Sequence, residues 1–276
     1  MNQDAAIDSQ KDAEEDVEDV DDNQMVLSHV QLARSICKSI MSPNHAHQLN
    51  ELDNPILEGR YRVVDLAQQI NQPTLPELIR CFLYDQKYPD CHITSAGVSL
   101  DACPRLPKMI SVFSSAAVTY YLPSDSGGLH GLHCEHIRAT PSWQHGPAQY
   151  DCAFVNSWPE LEGMHGLDVI CIFLFFYFTY EGITYPCAFV CWYTLVGEEP
   201  DEDTGMWMVK PEESDGSPTV SVIHLECIFH AAHLLPIYAA TNDPIPHSLS
   251  LHETLDTFTI FYVNKFIDHH TFHFIQ

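Results

Sequence analysis

Val169-Ile170-Cys171-Ile172-Phe173-Leu174-Phe175-Phe176-Tyr177-Phe178-Thr179-Tyr180, followed by Glu181-Gly182 and then Ile183-Thr184-Tyr185-Pro186-Cys187-Ala188-Phe189-Val190-Cys191-Trp192-Tyr193, is the stretch that decides the fold. β-Branched and aromatic residues dominate both arms, and a two-residue polar and glycine pair separates them, which predicts a β-hairpin. The first arm is apolar at odd and even positions alike, so both of its faces must be covered, as in the interior of a barrel or sandwich. At ten residues, its uncharged apolar run 169–178 is half the ~20 that a membrane-spanning helix requires.

Strand-like composition continues on both sides of the hairpin. After Ser111 the first run is 112–121; downstream, 206–209 and 219–225 read as two strands of a small antiparallel meander, joined by the turn formers Glu212 to Pro218. Upstream the period changes. Val26, Val30, Ala33, Cys37 and Ile40 recur at helical spacing and predict an amphipathic helix over 25–40. Two further short helices are predicted over 63–70 and 75–86, the latter with Pro76 in its first turn and Leu78, Ile79, Phe82 and Leu83 on one face. Near the C-terminus, Ser250-Leu251-His252-Glu253 has the form of a capping box, and Leu251, Leu255, Phe258 and Tyr262 predict a closing helix. The resulting expectation is an α+β chain. It has a disordered acidic tail at 1–24, a mainly helical segment at 25–110, and an antiparallel domain at 111–276 built as a partly open β-barrel or meander with a C-terminal helix.

Charge bounds the partners. Twelve Lys and Arg against 38 Asp and Glu leave a net −26. The tail carries ten acids and one base, and removing its −9 still leaves −17, so the acidity is general. Such a chain has no diffuse positive field to hold phosphates, which disfavours non-specific nucleic-acid binding. The acidic start lacks the basic and apolar regions of a secretory signal, and the ten cysteines are scattered, so an intracellular chain with reduced, mostly buried thiols is expected.

Several segments resemble one family. Arg62-Val63-Val64-Asp65-Leu66-Ala67, Leu75-Pro76-Glu77-Leu78-Ile79-Arg80-Cys81-Phe82-Leu83-Tyr84-Asp85-Gln86 and Glu135-His136-Ile137-Arg138-Ala139-Thr140-Pro141-Ser142-Trp143 are similar to the C-terminal region of open reading frames in fungal, basidiomycete Plavaka-type DNA transposons. Further likenesses follow in the same order: Tyr185-Pro186-Cys187-Ala188, the acidic run from Gly197 to Trp207, Val222-Ile223-His224-Leu225, Ala231-Ala232-His233-Leu234-Leu235-Pro236, and Phe261 to His270. The resemblance covers most of residues 60–274 and implies a mobile-element protein that acts with DNA or chromatin in the nucleus. It carries over no catalysis, because the family's acidic catalytic core lies upstream of this region. One departure concerns the loop before Glu135: His133-Cys134 stands where the family carries two arginines, which argues against a phosphate-binding role for this loop.

Four constellations carry possible chemistry. No Lys or Arg occurs between Arg138 and Lys210, while Glu198, Glu199, Asp201, Glu202 and Asp203 crowd one loop between strands bearing Trp192, Tyr193 and Trp207. Carboxylates with aromatic faces suit an ammonium group, so a basic peptide such as a histone tail is the expected partner. The plainer alternative is a solvated loop beside core tryptophans. His133, Cys134 and His136 follow Gly127-Gly128 and His130 and offer weak metal candidates, but their spacing matches no standard zinc motif. Cys187 and Cys191 share one strand face about 13 Å apart, too far to chelate one ion. Asp268, His269, His270 and His273 resemble ligands, yet adjacent histidines on a helix cannot face one point.

No Gly-x-Ser-x-Gly elbow or phosphate loop is present. The expectation is therefore a non-enzymatic accessory domain without cofactor, an interaction module that meets DNA only through a transposase partner and spans no membrane. Two alternatives stand beside it: a metal-dependent nucleic-acid-processing enzyme built on the His/Cys loop, and a degenerate transposon fragment.

Overall fold

The computed structural model describes residues 29–33, 58–89, 93–120, 133–142, 146–238, 249 and 254–276. The acidic tail, Gly127, Gly128, His130 and the Ser250 to Glu253 capping box lie outside them. In chain order the elements are β1 (His29–Ala33), β2 (Gly59–Arg62), α1 (Val63–Gln69), α2 (Leu75–Lys87), β3 (Met109–Phe113), β4 (Ser115–Tyr120), β5 (His133–Thr140), β6 (Gln149–Tyr150) and β7 (Cys152–Asn156). The long strands β8 (Leu167–Tyr180) and β9 (Ile183–Leu195) follow. Then come β10 (Met208–Pro211), β11 (Glu213–Ser214), β12 (Ser217–Pro218), β13 (Val220–His224), β14 (Ile228–Ala232), β15 (Leu234–Pro236), α3 (Thr254–Thr257), β16 (Phe261–Val263) and α4 (His269–Phe274). The fold is α+β, with antiparallel sheets and four short α-helices.

The predicted hairpin is the spine of a ten-stranded sheet. Glu181 and Gly182 both take positive φ, 51° and 85°, the conformation of a tight turn that matches strand twist. Each outer edge of the spine carries two short strands in succession. On β8 these are β7 (Cys152↔Cys171 to Asn156↔Leu167) and β3 (Ser111↔Tyr177 to Phe113↔Phe175). On β9 they are β13 (Val220↔Cys191 to His224↔Cys187) and β10 (Val209↔Leu195 to Pro211↔Tyr193). The two strands after Trp207, expected from sequence to be neighbours in a meander, are thus each paired with β9 and not with one another. A thirteen-residue β9 has room for both along one edge, and the turn-former run between them folds into the β11–β12 hairpin.

Double-sided burial of β8 has a register device behind it. The pairing shifts between Ile172 and Leu174, a β-bulge that leaves Phe173 unopposed. Before the bulge Ile170 and Ile172 face one core and Val169 and Cys171 the other; after it Phe175 keeps the first face while Leu174, Phe176 and Phe178 take the second. The first face packs on a four-stranded sheet in the order β1-β4-β5-β6, through Val30, Ala116, Val118, Ile137 and Ala139. The second face is covered in halves. One half meets α1 and α2 through Val63, Leu66, Leu75, Ile79, Phe82 and Leu83; the other meets Trp207, Phe258, Phe261, Val263 and Ile275. Cys187 and Cys191 sit on that face in separate clusters, as small buried side chains.

Helices α1 and α2 form where the periodicity predicts them, and Pro76 lies in the first turn of α2. Arg80 ties α2 to the chain that follows by donating to the carbonyls of Leu100, Cys103 and Pro104. Two other predicted helices are corrected. Within the predicted helix over 25–40, residues 29–33 form a strand paired with β4, His29↔Thr119 to Ala33↔Ser115, because an open edge of β4 binds that backbone and buries Val30. Of the predicted helix at 251–262, the described residues from 254 onward hold only the single turn of α3, and Tyr262 belongs to β16, which pairs with both β10 and β15. The predicted strand over 112–121 divides at Ser114 between the two sheets. Eight cysteines are described and all are free, five of them buried.

Since Phe176 is fully buried under α2 and stacks against Phe178 at 6.2 Å, Phe176→Ala is expected to lower stability by about 3–5 kcal/mol. The midpoint of urea unfolding, followed by tryptophan fluorescence, measures it.

Candidate functional site

Sheet topology gathers three connections at one end of the spine. β7 ends, β8 begins, β9 ends, β10 begins and β16 ends there, so segments 157–166, 196–207 and 264–268 emerge together. Direct contacts confirm it. The His165 ring stands edge-on to Trp207 at 5.0 Å, and Lys265 Nζ lies 3.3 Å from where a Cβ on Gly205 would be. Glu160, Glu162, Glu198, Glu199, Glu202 and Asp203 are exposed on these loops. So are Trp158, Leu161, Phe266 and Ile267, each at 45% or more.

The acidic loop is a built turn. Asp201 accepts from Thr204 N–H at 2.8 Å and Thr204 Oγ1 at 2.7 Å, its own N–H donates to Met206 O, and its carbonyl accepts from Gly205 N–H. The hydrogen bonds from Thr204 hold the Asp201 carboxyl below its ordinary value. Asp201 is therefore occupied inside the loop, while Glu198, Glu199 and Asp203 project to solvent.

The three aromatic residues singled out with this loop are not brought together. Trp192 and Tyr193 are adjacent on β9 and point to opposite faces. Trp192 packs partly on the core shared with the four-stranded sheet and donates from Nε1 to Ser221 Oγ at 2.7 Å. Tyr193 and Trp207 are buried in the other core, where burial pushes the Tyr193 phenol far up. The exposed aromatic faces at this end belong to Trp158 and Phe266, which the sequence reading did not single out. Their signal was positional, since each sits in a short connection beside an acidic one.

Alternation also divides the His/Cys loop. His133, Cys134 and His136 lie on β5, where exposed His133 and half-buried Glu135 share the strand face of Ile137, and Cys134 and His136 take the other face. Among the described residues no group of three or more His, Cys, Asp or Glu is placed to hold a metal ion.

On the inner side of β5, a cluster forms that links distant parts of the chain. Glu135 Oε1 accepts from Ala231 N–H at 2.6 Å and lies 3.4 Å from His230 Nδ1. His230 is fully buried, and its Nδ1 is 3.0 Å from the Ala231 carbonyl. A carbonyl only accepts, so Nδ1 is the donor in that contact. Tyr120 stacks on His270 at 4.6 Å and 15°, and on its other neighbours meets His230 at 4.8 Å and His133 at 6.3 Å. His230 and His270 are 4.9 Å apart, edge to face. His230 Nε2 and His270 Nδ1 are both buried without a hydrogen-bond partner among the described residues.

The cluster's surroundings shift Tyr120 and Asp268 in opposite directions. Burial, then the carboxylates of Glu135 and Asp268, push the Tyr120 phenol up to about 12. Burial raises the Asp268 carboxyl, but the hydrogen bonds it accepts from Thr271 N–H and Oγ1 outweigh that and hold it low. The sequence reading named Asp268, His270 and the β5 residues separately; His230, the residue that joins them, it did not name.

α4 reaches this position because the chain around it is tightly fitted. Asp268 caps its start through Thr271, Ile275 is buried, and Phe274 packs edge-on against Phe154 and Phe229. Gly163, at φ +64°, lies so close to Gln276 that a Cβ there would collide with its carbonyl.

A third row of groups crosses the sheet. Cys152, Cys171 and Cys191 are opposed on β7, β8 and β9. A hydrogen bond with Cys171, then burial, raises the Cys152 thiol, and burial first raises Cys191 to about 11, so the Cys152 and Cys191 thiols stay protonated. Cys171 and Cys191 also line a cavity of about 380 Å³ with Phe173, Tyr193, Leu255 and Asp256.

No protein-family model, no curated protein and no solved structure matches the chain.

Glu135→Ala removes the acceptor for the Ala231 N–H and leaves that donor unsatisfied. The expected cost is about 1–3 kcal/mol in urea denaturation, larger than for truncating the exposed Glu199.

Proposed function

We propose that this chain is a non-enzymatic accessory domain of Plavaka-type transposon origin, an interaction module that takes a basic peptide such as a histone tail at the acidic end of its large sheet. The observation that supports it most is the loop 196–207. It projects exposed Glu198, Glu199, Glu202 and Asp203 within a stretch that holds no Lys or Arg from residue 139 to 209. Carboxylates fixed on one loop produce a local negative potential that attracts a cationic chain and sets its approach. Trp158, Leu161, Phe266 and Ile267, exposed at the same end, add apolar surface for side chains between the cations.

In this reading Trp158 and Phe266 take the cation-facing role first expected of Trp192, Tyr193 and Trp207. Lys265 already illustrates the chemistry from within, with its ammonium 5.4 Å from the Phe266 ring centre and 5.8 Å from that of Phe272. The comparison with partly open barrels of chromatin readers is an analogy of fold and belongs to the same proposal. DNA would be met through a transposase partner in the nucleus, since a surface at −26 repels phosphate.

The test titrates the full chain with a basic histone-tail peptide and, separately, with duplex DNA, at two salt concentrations. A variant carrying Glu198→Gln, Glu199→Gln, Glu202→Gln and Asp203→Asn is run beside it. The expected result is peptide binding that weakens with salt and falls by roughly tenfold or more in the variant, with no DNA binding. Duplex binding that survives the four substitutions would overturn the reading.

A further inference from the structure

We propose that His270 is an acid-sensitive latch: uncharged, it seats α4 against β4 and β14, and once protonated it releases the C-terminal segment that follows β16. The inference does not rest on the proposed function. It rests on how the ring is held. His270 is 8% exposed, stacked flat on Tyr120, edge-on to His230 at 4.9 Å, and enclosed by Phe229 at 6.1 Å and Phe274 at 5.2 Å. α4 has only six residues, too few to persist in water without its packing, so what seats the ring seats the helix.

The titratable groups around the ring are Tyr120 from β4, His133 and Glu135 from β5, His230 from β14, and Asp268 and His273 from its own segment. The two carboxylates that could balance a charge are already engaged. Glu135 accepts the Ala231 N–H, and Asp268 accepts both groups of Thr271. A protonated His270 would bury a cation beside a second imidazole, with an Nδ1–H that has no acceptor among the described residues.

Burial first, and then His230, push His270 from the ordinary 6.5 down to about 4, against the opposing pull of Asp268. The docked value lies below the released one, so the released segment takes up its proton first as pH falls. Docking is at full strength above about 6.5 and weakens progressively down to about 4, below which both forms are protonated. Across that window the ratio of released to docked segment rises about tenfold per pH unit, roughly 300-fold in all.

Amide hydrogen exchange on the full chain tests the latch. Protection of residues 271–275, corrected for the intrinsic pH dependence of exchange, is compared between pH 7 and pH 4.5 with that of Phe175 and Val190 in the spine. The expected result is a loss of about 60-fold at 271–275 with the spine unchanged, and no such loss in His270→Phe, which keeps an aromatic ring in the stack but cannot take a proton. His269 and His273 remain in that variant, so a loss of the same size there would overturn the proposal, as would constant protection in the native chain. If His270→Phe does not fold, the His270 ring proton is titrated by NMR in the native chain. A midpoint near 4, with release of 271–275 as pH falls, supports the latch, and a midpoint at or above 6.5 with those amides still protected overturns it.

Discussion

A strand that is apolar on both faces must be covered twice, and β8 imposes that demand on the whole chain. Its first face takes the four-stranded sheet; its second takes two helices at one half and the C-terminal segments at the other. The bulge at Phe173 makes both demands compatible, because it resets the alternation midway along a fourteen-residue strand. Without that extra residue Leu174, Phe176 and Phe178 would exchange faces with Phe175 and Tyr177, and the helices would lose the side chains they cover. The placement of α1 and α2 therefore follows from one irregularity in one pairing.

Much of this was legible. Two apolar arms around Glu181-Gly182 can only be a hairpin, and doubled apolar faces can only be interior. Helices α1 and α2 were legible because their stripes are long enough and Pro76 marks a start. The segment around Val30 misled because its helical spacing is genuine but weak, while its partner β4 lies 82 to 90 residues away and exerts no local signal. The end of the chain misled for a related reason. Phe261, Tyr262 and Val263 fit a helical stripe, yet β10 and β15 both offer backbone to them, and hydrogen bonding from two sides outweighs propensity.

The candidate sites were legible as composition but not as geometry. The acidic run is visible in any reading, whereas the separation of Trp192 from Tyr193 and Trp207 depends on which face of β9 each side chain takes. The same alternation that split His133 from Cys134 placed His133 and Glu135 beside Tyr120, opposite β14. A list of metal-competent residues ignores that rule, and so it grouped neighbours in sequence that the strand sends apart. His230 went unnoticed because it sits in an apolar run, where a histidine reads as filler until its partners are known.

The two-residue turn between β8 and β9 has a kinetic side. Closing so short a loop costs little chain entropy, so the spine can form from contacts that are close in sequence. The bond from Ala231 to Glu135 spans 96 residues and ties the edge of the ten-stranded sheet to the four-stranded one. Such a closure becomes favourable only after the intervening strands are in place. The hairpin is thus suited to be the nucleus, and the histidine cluster to be among the last parts assembled, a keystone set after the arch stands.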